Sequence, residues 1–335
     1  MTALDTIAEY GARIDARADS FLARGDEGLY GMLRYFMGYI DEKFVPVTES
    51  GGKRLRPGLL LYVAEQYGTL DAALPAALSI ELFHNFTLIH DDIEDHDELR
   101  RGRPTVWKLW GVNKAINAGD AQVICSMQAL RDKNVLEEET YRELEQFLLN
   151  QYLKVIEGQH LDFTLAELAL HSNDVSVERY LEMARKKSAE LVAASTKAAA
   201  VIAQRPVEEQ ECLYTFGLNL GIGWQLKDDR DSLWGEAGVT GKNFAGDILE
   251  HKKTYPILFA RKNLSFEDST RLEELYASTA TSVEEVLDLL EKAGALDATR
   301  ELIKHYVEEA KESLTKISLS NDSKKLLEEF VSTLL

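Results

Sequence analysis

The sequence predicts an all-α protein, and three observations support this fold class. Proline is scarce, at 6 of 335 residues or about 2%, against an average of about 5% in proteins. Apolar residues recur with a helical period along most of the chain, and no long alternating run predicts a strand. Because no linker rich in Gly, Ser or Pro divides the chain, we expect a single all-helical domain over residues 1–335.

Turn signals divide the chain into amphipathic or apolar segments of helical period. The second segment ends at Gly68, the sixth ends before Pro206 and the seventh ends at Gly235. The third is closed by the Arg-rich run at 100–104, which contains Gly102. The predicted helices are 5–24, 57–67, 75–99, 114–132, 137–170, 175–203, 207–234, 254–262, 266–278, 283–293, 298–317 and 323–335.

The charge balance argues against a nucleic-acid-binding protein. Lys and Arg number 38 and Asp and Glu number 57, so the net charge is −19, whereas contact with a phosphate backbone requires a basic face. Cys125 and Cys212 lie in apolar stretches and cannot form a disulfide framework, which favours free thiols in a reducing compartment. No basic and apolar leader precedes residue 24, and no uninterrupted apolar run reaches the ~18 residues of a membrane span. We expect a cytoplasmic protein without a transmembrane segment.

An unusual acidic run, 91–97, follows an apolar helical stretch and contains five acids in seven positions. On a helix, Asp91 and Asp95 share a face, where like charges repel. A solvated acidic face is one interpretation. A His/Asp metal site with His84, His90 and His96 is another, but imidazole prefers transition metals and the six-residue spacing spreads these rings around a helix. We favour a site for a hard cation.

A second acidic run, 228–231, follows another predicted apolar helix. Two Asp pairs, each after an apolar helical stretch, suggest two walls of one acidic pocket. Carboxylate oxygens select hard cations, and Mg²⁺ is commonly held by one or two carboxylates together with substrate phosphate oxygens. The sequence therefore predicts a magnesium-dependent phosphate site.

Phosphate also requires cationic donors, and two basic runs supply them. The run GGKRLRP at 51–57 lies at the start of a predicted helix, where free N–H groups favour anions. The run RRGR at 100–103 ends the predicted helix that carries the first acidic run, and arginine matches phosphate geometry. Dipole pairing at a helix C-terminus would also explain that second run. Acidic and basic groups on one helix favour a metal-bridged diphosphate.

From about residue 51 to 256 the chain resembles the trans-type polyprenyl diphosphate synthases, most closely those that make geranylgeranyl diphosphate. These are head-to-tail prenyltransferases with the isoprenoid synthase type I fold, a single large helical bundle around a central cavity. The motifs that carry the resemblance occur in the family's order: GGKRLRP (51–57), DDIED (91–95) before RRGRPT (100–105), AGD (118–120), GQHLD (158–162), KS in place of KT (187–188), Gln225 before Asp228-Asp229, GK (241–242) and KTYP (253–256).

The resemblance implies roles for residues at matching positions. The implied Mg²⁺ ligands are Asp91, Asp95 and Asp228, and the implied catalytic residues are Asp91, Asp92, Asp95, Lys187 and Asp228. The allylic diphosphate is implied to contact Arg100, Lys187, Gln225 and Lys242, with Ser188 and Lys253 nearby. The diphosphate of isopentenyl diphosphate is implied to contact Gly52, Lys53, Arg56, His84 and Arg101.

The implied reaction is ionisation, condensation and elimination with three Mg²⁺ ions in a homodimeric enzyme. Its substrates are isopentenyl diphosphate and an allylic diphosphate with a dimethylallyl, geranyl or farnesyl chain. Phe86 and Thr87, just before the first motif, resemble chain-length residues of enzymes that stop at geranylgeranyl diphosphate. The helical wheel places Phe86 roughly opposite the Asp91/Asp95 face, so a plain core role stays open. Alternatives are a farnesyl or longer product, a class I terpene cyclase, or a non-catalytic partner subunit.

The second acidic motif departs from the family pattern. Ser232 stands where the family has a third acid. Asp231 points about 100° away on a helix, which makes it a poor substitute. We interpret this as a weakened second metal wall with Asp228 retained.

Overall fold

A computed structural model describes residues 2–24, 27–47, 52–131, 136–235, 246–278 and 281–335. Over these residues the structure consists of helices with one short hairpin, so the predicted all-α class is confirmed. The elements are α1 (Ala3–Ala12), α2 (Asp15–Leu22), α3 (Glu27–Met37), α4 (Leu55–Gln66), α5 (Leu70–Glu94), β1 (Leu99–Arg100), β2 (Arg103–Pro104), α6 (Val106–Trp110), α7 (Val112–Leu130), α8 (Glu138–Glu167), α9 (Val177–Ala184), a π turn (Arg185–Ala189), α10 (Glu190–Ile202), α11 (Val207–Trp234), α12 (Gly246–Leu249), α13 (Tyr255–Asn263), α14 (Phe266–Ala277), α15 (Val283–Lys292), α16 (Ala295–Leu314) and α17 (Asn321–Ser332).

The helix predicted to extend to residue 99 ends earlier, so this predicted boundary is wrong. α5 stops at Glu94, and Asp95 caps it with its N–H donated to the Asp91 carbonyl at 2.8 Å. The arginine run lies beyond the helix, in the antiparallel β1–β2 hairpin, where Gly102 has φ +74°. Aspartate is a poor helix former and like charges repel at this spacing, which explains why the helix ends inside the acidic run. The acidic and basic groups therefore do not share one helix.

Two other predicted helices are interrupted. The helix predicted at 5–24 is broken between α1 and α2, and the helix predicted at 175–203 contains the π turn. α3 was not predicted from the sequence. The helix predicted at 207–234 is confirmed as α11 with the same bounds.

The chain forms two compact units, each built from three stretches. Unit 1 comprises Met1–Leu149, Ala194–Glu211 and Ser318–Leu327, and unit 2 comprises Asn150–Ala193, Cys212–Ile317 and Glu328–Leu335. The single-domain expectation stays a prediction.

In unit 1, α5 is the central element and packs along α7, α4 and α3. Within the described part of the chain, α5 alone is long and apolar enough to cross a membrane, but 72% of its most apolar window is buried inside the protein. A core helix of a soluble protein has the same properties. α1 packs against α4 through glycines: a Cβ at Gly11 would lie 2.1 Å from the Arg54 carbonyl oxygen, and one at Gly58 would lie 2.1 Å from that of Ile7.

In unit 2, the π turn is in close contact with two long helices. A Cβ at Gly158 of α8 would lie 2.2 Å from the Lys187 nitrogen, and a Cβ at Gly221 of α11 would lie 2.4 Å from the Ala189 Cα. Both glycines are therefore required by backbone approach. α13 packs against α16, α14, α15 and α9 and completes this unit.

Candidate active site

The basic run before α4 is anchored by a buried arginine that the sequence analysis did not single out. Arg54 is 4% exposed and has a left-handed φ of +50°, directly before the first turn of α4. Its guanidinium donates to Asp15 Oδ1 at 2.9 Å, to Glu81 Oε1 at 2.8 Å and to the Met37 carbonyl at 2.7 Å. A buried charge is tolerated only when it is paired and hydrogen-bonded. This pairing fixes the path of residues 52–56 against α5.

A polar chain continues from Glu81 to the hairpin. The Asn85 amide, fully buried, donates to Glu81 Oε1 at 2.7 Å. The Asn85 oxygen accepts from Arg101 Nη2 at 3.4 Å. A Cβ at Gly52 would lie 3.2 Å from the Arg101 guanidinium carbon, so the GGKRLRP run and the hairpin are in contact here.

Predicted cationic residues gather around His84 on α5. Arg56 Nη1 lies 3.1 Å from His84 Nε2. Burial, followed by Arg56, Arg101, Arg100 and Arg54, holds the pKa of His84 well below its usual value. His84 is therefore neutral at physiological pH and accepts from Arg56. Lys53 is exposed at the start of this group.

The first acidic motif and Arg100 form an ion-pair cluster. Arg100 Nε donates to Asp92 Oδ1, and Arg100 Nη2 lies 3.6 Å from Asp91 Oδ2 and 3.8 Å from Asp97 Oδ2. Asp92 is 1% exposed, and burial raises its pKa to about 7 despite the attraction of Arg100. Asp92 therefore orients the guanidinium, whereas Asp91 and Asp95 are the partly exposed carboxylates of the motif.

The predicted chain-length residues lie one turn before this motif on α5. Phe86 packs against Phe83 at 5.3 Å and against the His90 ring at 5.0 Å between centroids. His90 lies over α7, where a Cβ at Gly119 of the AGD motif would be 2.1 Å from its Nε2. The hydroxyl of Thr87 donates to the His84 carbonyl at 2.8 Å.

In unit 2, the π turn carries the KS motif and pairs it with two helices. Lys187 Nζ donates to Asp162 Oδ2 at 2.5 Å, and Asp162 is the last residue of the GQHLD motif on α8. The Ser188 hydroxyl donates to Gln225 Oε1 on α11 at 2.5 Å. π turns occur frequently at functional sites. Sequence spacing alone had no signal for the extra residue in this turn.

The second acidic motif divides into exposed and buried carboxylates. Asp228 is exposed, whereas Asp229 is buried and accepts from the Tyr180 hydroxyl at 2.6 Å and from Gln225 Nε2 at 2.8 Å. Burial raises the pKa of Asp229, and Asp247 and Asp228 raise it further. Tyr180 is a supporting residue that no motif indicated. Asp228 is therefore the solvent-exposed carboxylate of this Asp pair.

Asp231 and Ser232, the last two residues of the second acidic motif, lie in different surroundings on α11. Asp231 pairs with Lys227 and lies 2.9 Å from Arg230. These hydrogen bonds and charges lower its pKa against the effect of burial. Ser232 is 8% exposed. Asp231 is thus engaged by cations of its own helix.

Two residues predicted to lie at the allylic diphosphate, Lys253 and Lys242, remain to be located. Lys253 is buried, and it donates to the Ala166 carbonyl near the end of α8 at 2.6 Å. Burial lowers its pKa. Lys242 lies outside the described residues.

The donor chemistry fits Mg²⁺ bound jointly with substrate. The described part of the chain contains no group of three or more His, Cys, Asp or Glu side chains that could hold a metal by themselves. Asp91 and Asp95 of unit 1 are partly exposed, and Asp228 of unit 2 is exposed. In each unit these carboxylate oxygens suit Mg²⁺, which completes its octahedron with phosphate oxygens and water.

Comparison with known proteins identifies the class to which this fold and these motifs belong. Residues 39–293 match the polyprenyl synthetase family model. The chain is 35% identical over 320 residues to a geranylgeranyl diphosphate synthase of Methanosarcina mazei, covering 94% of this chain and 92% of that protein. It is 34% identical to a geranylfarnesyl diphosphate synthase of Aeropyrum pernix, over 84% and 89% of the two chains.

A solved structure agrees with this result. Geranylgeranyl pyrophosphate synthetase from Pyrococcus horikoshii superposes with a TM-score of 0.88 at 30% identity, covering 99% of this chain and 97% of that one. The chain therefore belongs to the polyprenyl synthetase family, and it is a prenyltransferase with the isoprenoid synthase fold. The predicted resemblance is confirmed.

Proposed function

We propose that this enzyme condenses isopentenyl diphosphate with an allylic diphosphate, head to tail. The observation that carries the proposal is the presence in unit 1 of two distinct cationic groups. One is Arg100, paired with the first acidic motif. The other comprises Arg56, which contacts the neutral His84, and Arg101, which lies against Gly52. Two diphosphates require two such groups, whereas a terpene cyclase has no second diphosphate to hold.

In the proposed reaction, the allylic C–O bond ionises, and the allylic carbon bonds to the double bond of isopentenyl diphosphate. The departing diphosphate then takes a proton from the resulting cation, so no side-chain base is needed. The proposed ligands of the allylic diphosphate are Arg100, Lys187, Gln225 and Lys242, with Ser188 and Lys253 nearby. The proposed ligands of the isopentenyl diphosphate group are Gly52, Lys53, Arg56, His84 and Arg101. Holding the two substrates together removes much of the entropic barrier, and excluding water protects the cation.

We propose that Asp91, Asp95 and Asp228 bind Mg²⁺, with three ions when substrate is present. The metal supplies electrostatic stabilisation of charge on the leaving diphosphate. Asp92 holds Arg100 at the motif through its buried pair. The strongly negative net charge of the chain, −19, is compatible with an anionic substrate because bound cations invert the local field.

We propose geranylgeranyl diphosphate as the product, with Phe86 and Thr87 limiting its length. The relatives from Methanosarcina mazei and Aeropyrum pernix are a geranylgeranyl and a geranylfarnesyl diphosphate synthase. The test is mass spectrometry of products after incubation with isopentenyl diphosphate, Mg²⁺ and each allylic primer in turn. We expect geranylgeranyl diphosphate from the parent and longer chains from Phe86→Ala. Unchanged chain length in Phe86→Ala would return Phe86 to a plain core role.

We also propose a cytoplasmic homodimer whose contact includes α7. Val112, Ile116 and Ile124 are exposed apolar side chains on this helix, and Ile124 is 52% exposed. Ile124→Glu should give a smaller species in size-exclusion chromatography with light scattering. Phe266→Glu on α14, another exposed apolar site, is the control and should leave the assembly unchanged. A monomeric parent protein would contradict the proposal.

A further inference from the structure

Glu190, directly after the π turn, is a buried carboxylate that the proposed chemistry does not use. Its side chain is 1% exposed. Oε1 accepts from Arg185 Nε at 3.2 Å, and Oε2 accepts from the Tyr214 hydroxyl and lies 3.4 Å from Lys154 Nζ. A buried carboxylate must be paired and hydrogen-bonded to remain charged. Here its partners come from α8, the π turn and α11.

The pairing of Arg185 with Glu190 requires the π turn. These residues are five apart, and the Glu190 N–H donates to the Arg185 carbonyl across the turn. In an α-helix, residues five apart point about 140° away from each other, at 100° per residue. The ion pair can therefore form only while the extra residue is kept in the turn. If the π turn changed to an α-helical turn, the ion pair would break. Losing the register of one residue would also rotate Lys187 by about 100° around the helix axis.

The partner on α8 lies on the face that contacts the KS motif. Lys154, Gly158 and Asp162 are spaced by four residues, so they share one side of α8. Lys154 pairs with Glu190, Gly158 lies against the backbone of Lys187, and Asp162 accepts from its ammonium.

The partner on α11 lies on a similar face. Tyr214, Gly221 and Gln225 are spaced by seven and four residues, so they also share one side of the helix. Tyr214 donates to Glu190, Gly221 lies against Ala189, and Gln225 accepts from Ser188. Both helices therefore hold the turn at the Glu190 end and at the KS end.

We propose that Glu190 is a positioning residue for the allylic diphosphate site. Its ion pairs keep the π register, which directs Lys187 and Ser188 toward the diphosphate. This inference rests on the proposed function, in which those two residues bind that group. Glu190 touches no substrate itself.

The first test is Glu190→Gln, compared with Glu209→Gln. Glu209 is a buried carboxylate of unit 1 with matching partners, Arg205 at 3.0 Å and the Tyr67 hydroxyl at 2.7 Å. Both variants should have melting temperatures that are lower than that of the parent by a similar amount. Only Glu190→Gln should raise the KM for the allylic diphosphate, by about tenfold, because small misplacements of a substrate-holding group cost up to about 100-fold. The KM for isopentenyl diphosphate should change less than about twofold, since its proposed ligands lie elsewhere.

A second variant keeps the test decisive if Glu190→Gln does not fold. Arg185 is 49% exposed in its side chain, so Arg185→Ala should fold and show the same selective rise in KM. Affinity for inorganic diphosphate with Mg²⁺, measured by calorimetry, should fall in both variants. In a Lys187→Ala background, the further loss should disappear, since Glu190 acts through that residue.

Two results would overturn the inference in distinguishable ways. If Lys187→Ala loses diphosphate affinity but Glu190→Gln and Arg185→Ala behave like Glu209→Gln, the positioning role is wrong and the proposed function stands. If Lys187→Ala itself keeps full affinity, the assignment of Lys187 fails, and the role of Glu190 fails with it.

Discussion

Single side chains in the two acidic motifs differ in exposure, and this difference separates their roles. Asp91, Asp95 and Asp228 are accessible, whereas Asp92 and Asp229 are buried in hydrogen bonds. Adjacent aspartates on a helix point about 100° apart. One member of each pair therefore faces outward while the other supports neighbouring side chains.

The accessible members of the first motif should be essential. We expect Asp91→Asn and Asp95→Asn each to lower kcat by about 100- to 1,000-fold, the usual loss when one preorganised electrostatic group is removed. Glu98→Gln, on an exposed acid that pairs with Lys108 at 2.6 Å, is the control and should be near normal. Steady-state rates at saturating Mg²⁺, with circular dichroism to verify folding, check this. Near-normal rates in both Asp variants would remove these residues from the metal site.

Asp231 should contribute to stability and not to turnover. Its pairs with Lys227 and Arg230 lower its pKa, so its stabilisation is complete above the unfolded-state pKa of about 3.9. That stabilisation is lost as pH falls through the lower folded-state pKa. We expect the difference in free energy of unfolding between the parent and Asp231→Asn to shrink below about pH 4, with activity retained at pH 7. Urea titrations at several pH values measure it.

Ser232→Asp is the companion variant. It should lower the Mg²⁺ concentration that gives half of the maximal initial rate, because a carboxylate is added one turn after Asp228. It should also lower stability, since Ser232 is buried and a buried carboxylate is unfavourable. If Asp231→Asn loses most of its activity and Ser232→Asp has the same Mg²⁺ dependence as the parent, Asp231 is the third functional acid.

At the scale of elements, the π turn depends on close backbone approach. An added methyl at Gly158 or Gly221 would lie 2.2 or 2.4 Å from backbone atoms of the turn. We expect Gly158→Ala and Gly221→Ala each to destabilise the protein, at the upper end of the ~1–3 kcal/mol typical of overpacking.

Thermal denaturation measures this effect against a matched substitution. Gly246→Ala is the control, because among the residues that the structure describes its methyl would meet only Glu250 Oε1, at 3.9 Å. Equal melting temperatures for all three variants would mean that the turn moves without cost.

At the scale of the whole molecule, the decisive property is the use of two substrates. The double variant Lys53→Ala, Arg56→Ala should raise the KM for isopentenyl diphosphate about 100-fold, because charged hydrogen bonds contribute about 1.5–3 kcal/mol each. The KM for the allylic substrate should change far less. Removing two exposed cations of the same unit, Lys108→Ala with Arg142→Ala, should affect neither.

Product analysis without isopentenyl diphosphate completes this test. A prenyl synthase makes no new hydrocarbon from the allylic diphosphate alone. Formation of a hydrocarbon or alcohol under those conditions would identify a cyclase instead.

The sequence by itself determined the fold class, most helices and the set of candidate site residues. Helical periodicity is a local property, and α11 was predicted with its observed bounds. Eight short motifs in a fixed order indicated the family. Each motif consists of particular side chains at fixed spacing, so it can be found without tertiary information.

Only the tertiary structure decided which of these residues are accessible and how they are held. Arg54 reads as one more cation of a basic run, but it is buried between Asp15 and Glu81. The end of α5 at Glu94 and the π turn at Arg185–Ala189 both break a periodic pattern that continues in the sequence. Electrostatic repulsion ends the first, and contacts with Gly158, Gly221 and Glu190 maintain the second. Such contacts join residues distant in the chain, so a pattern of near neighbours carries no signal for them.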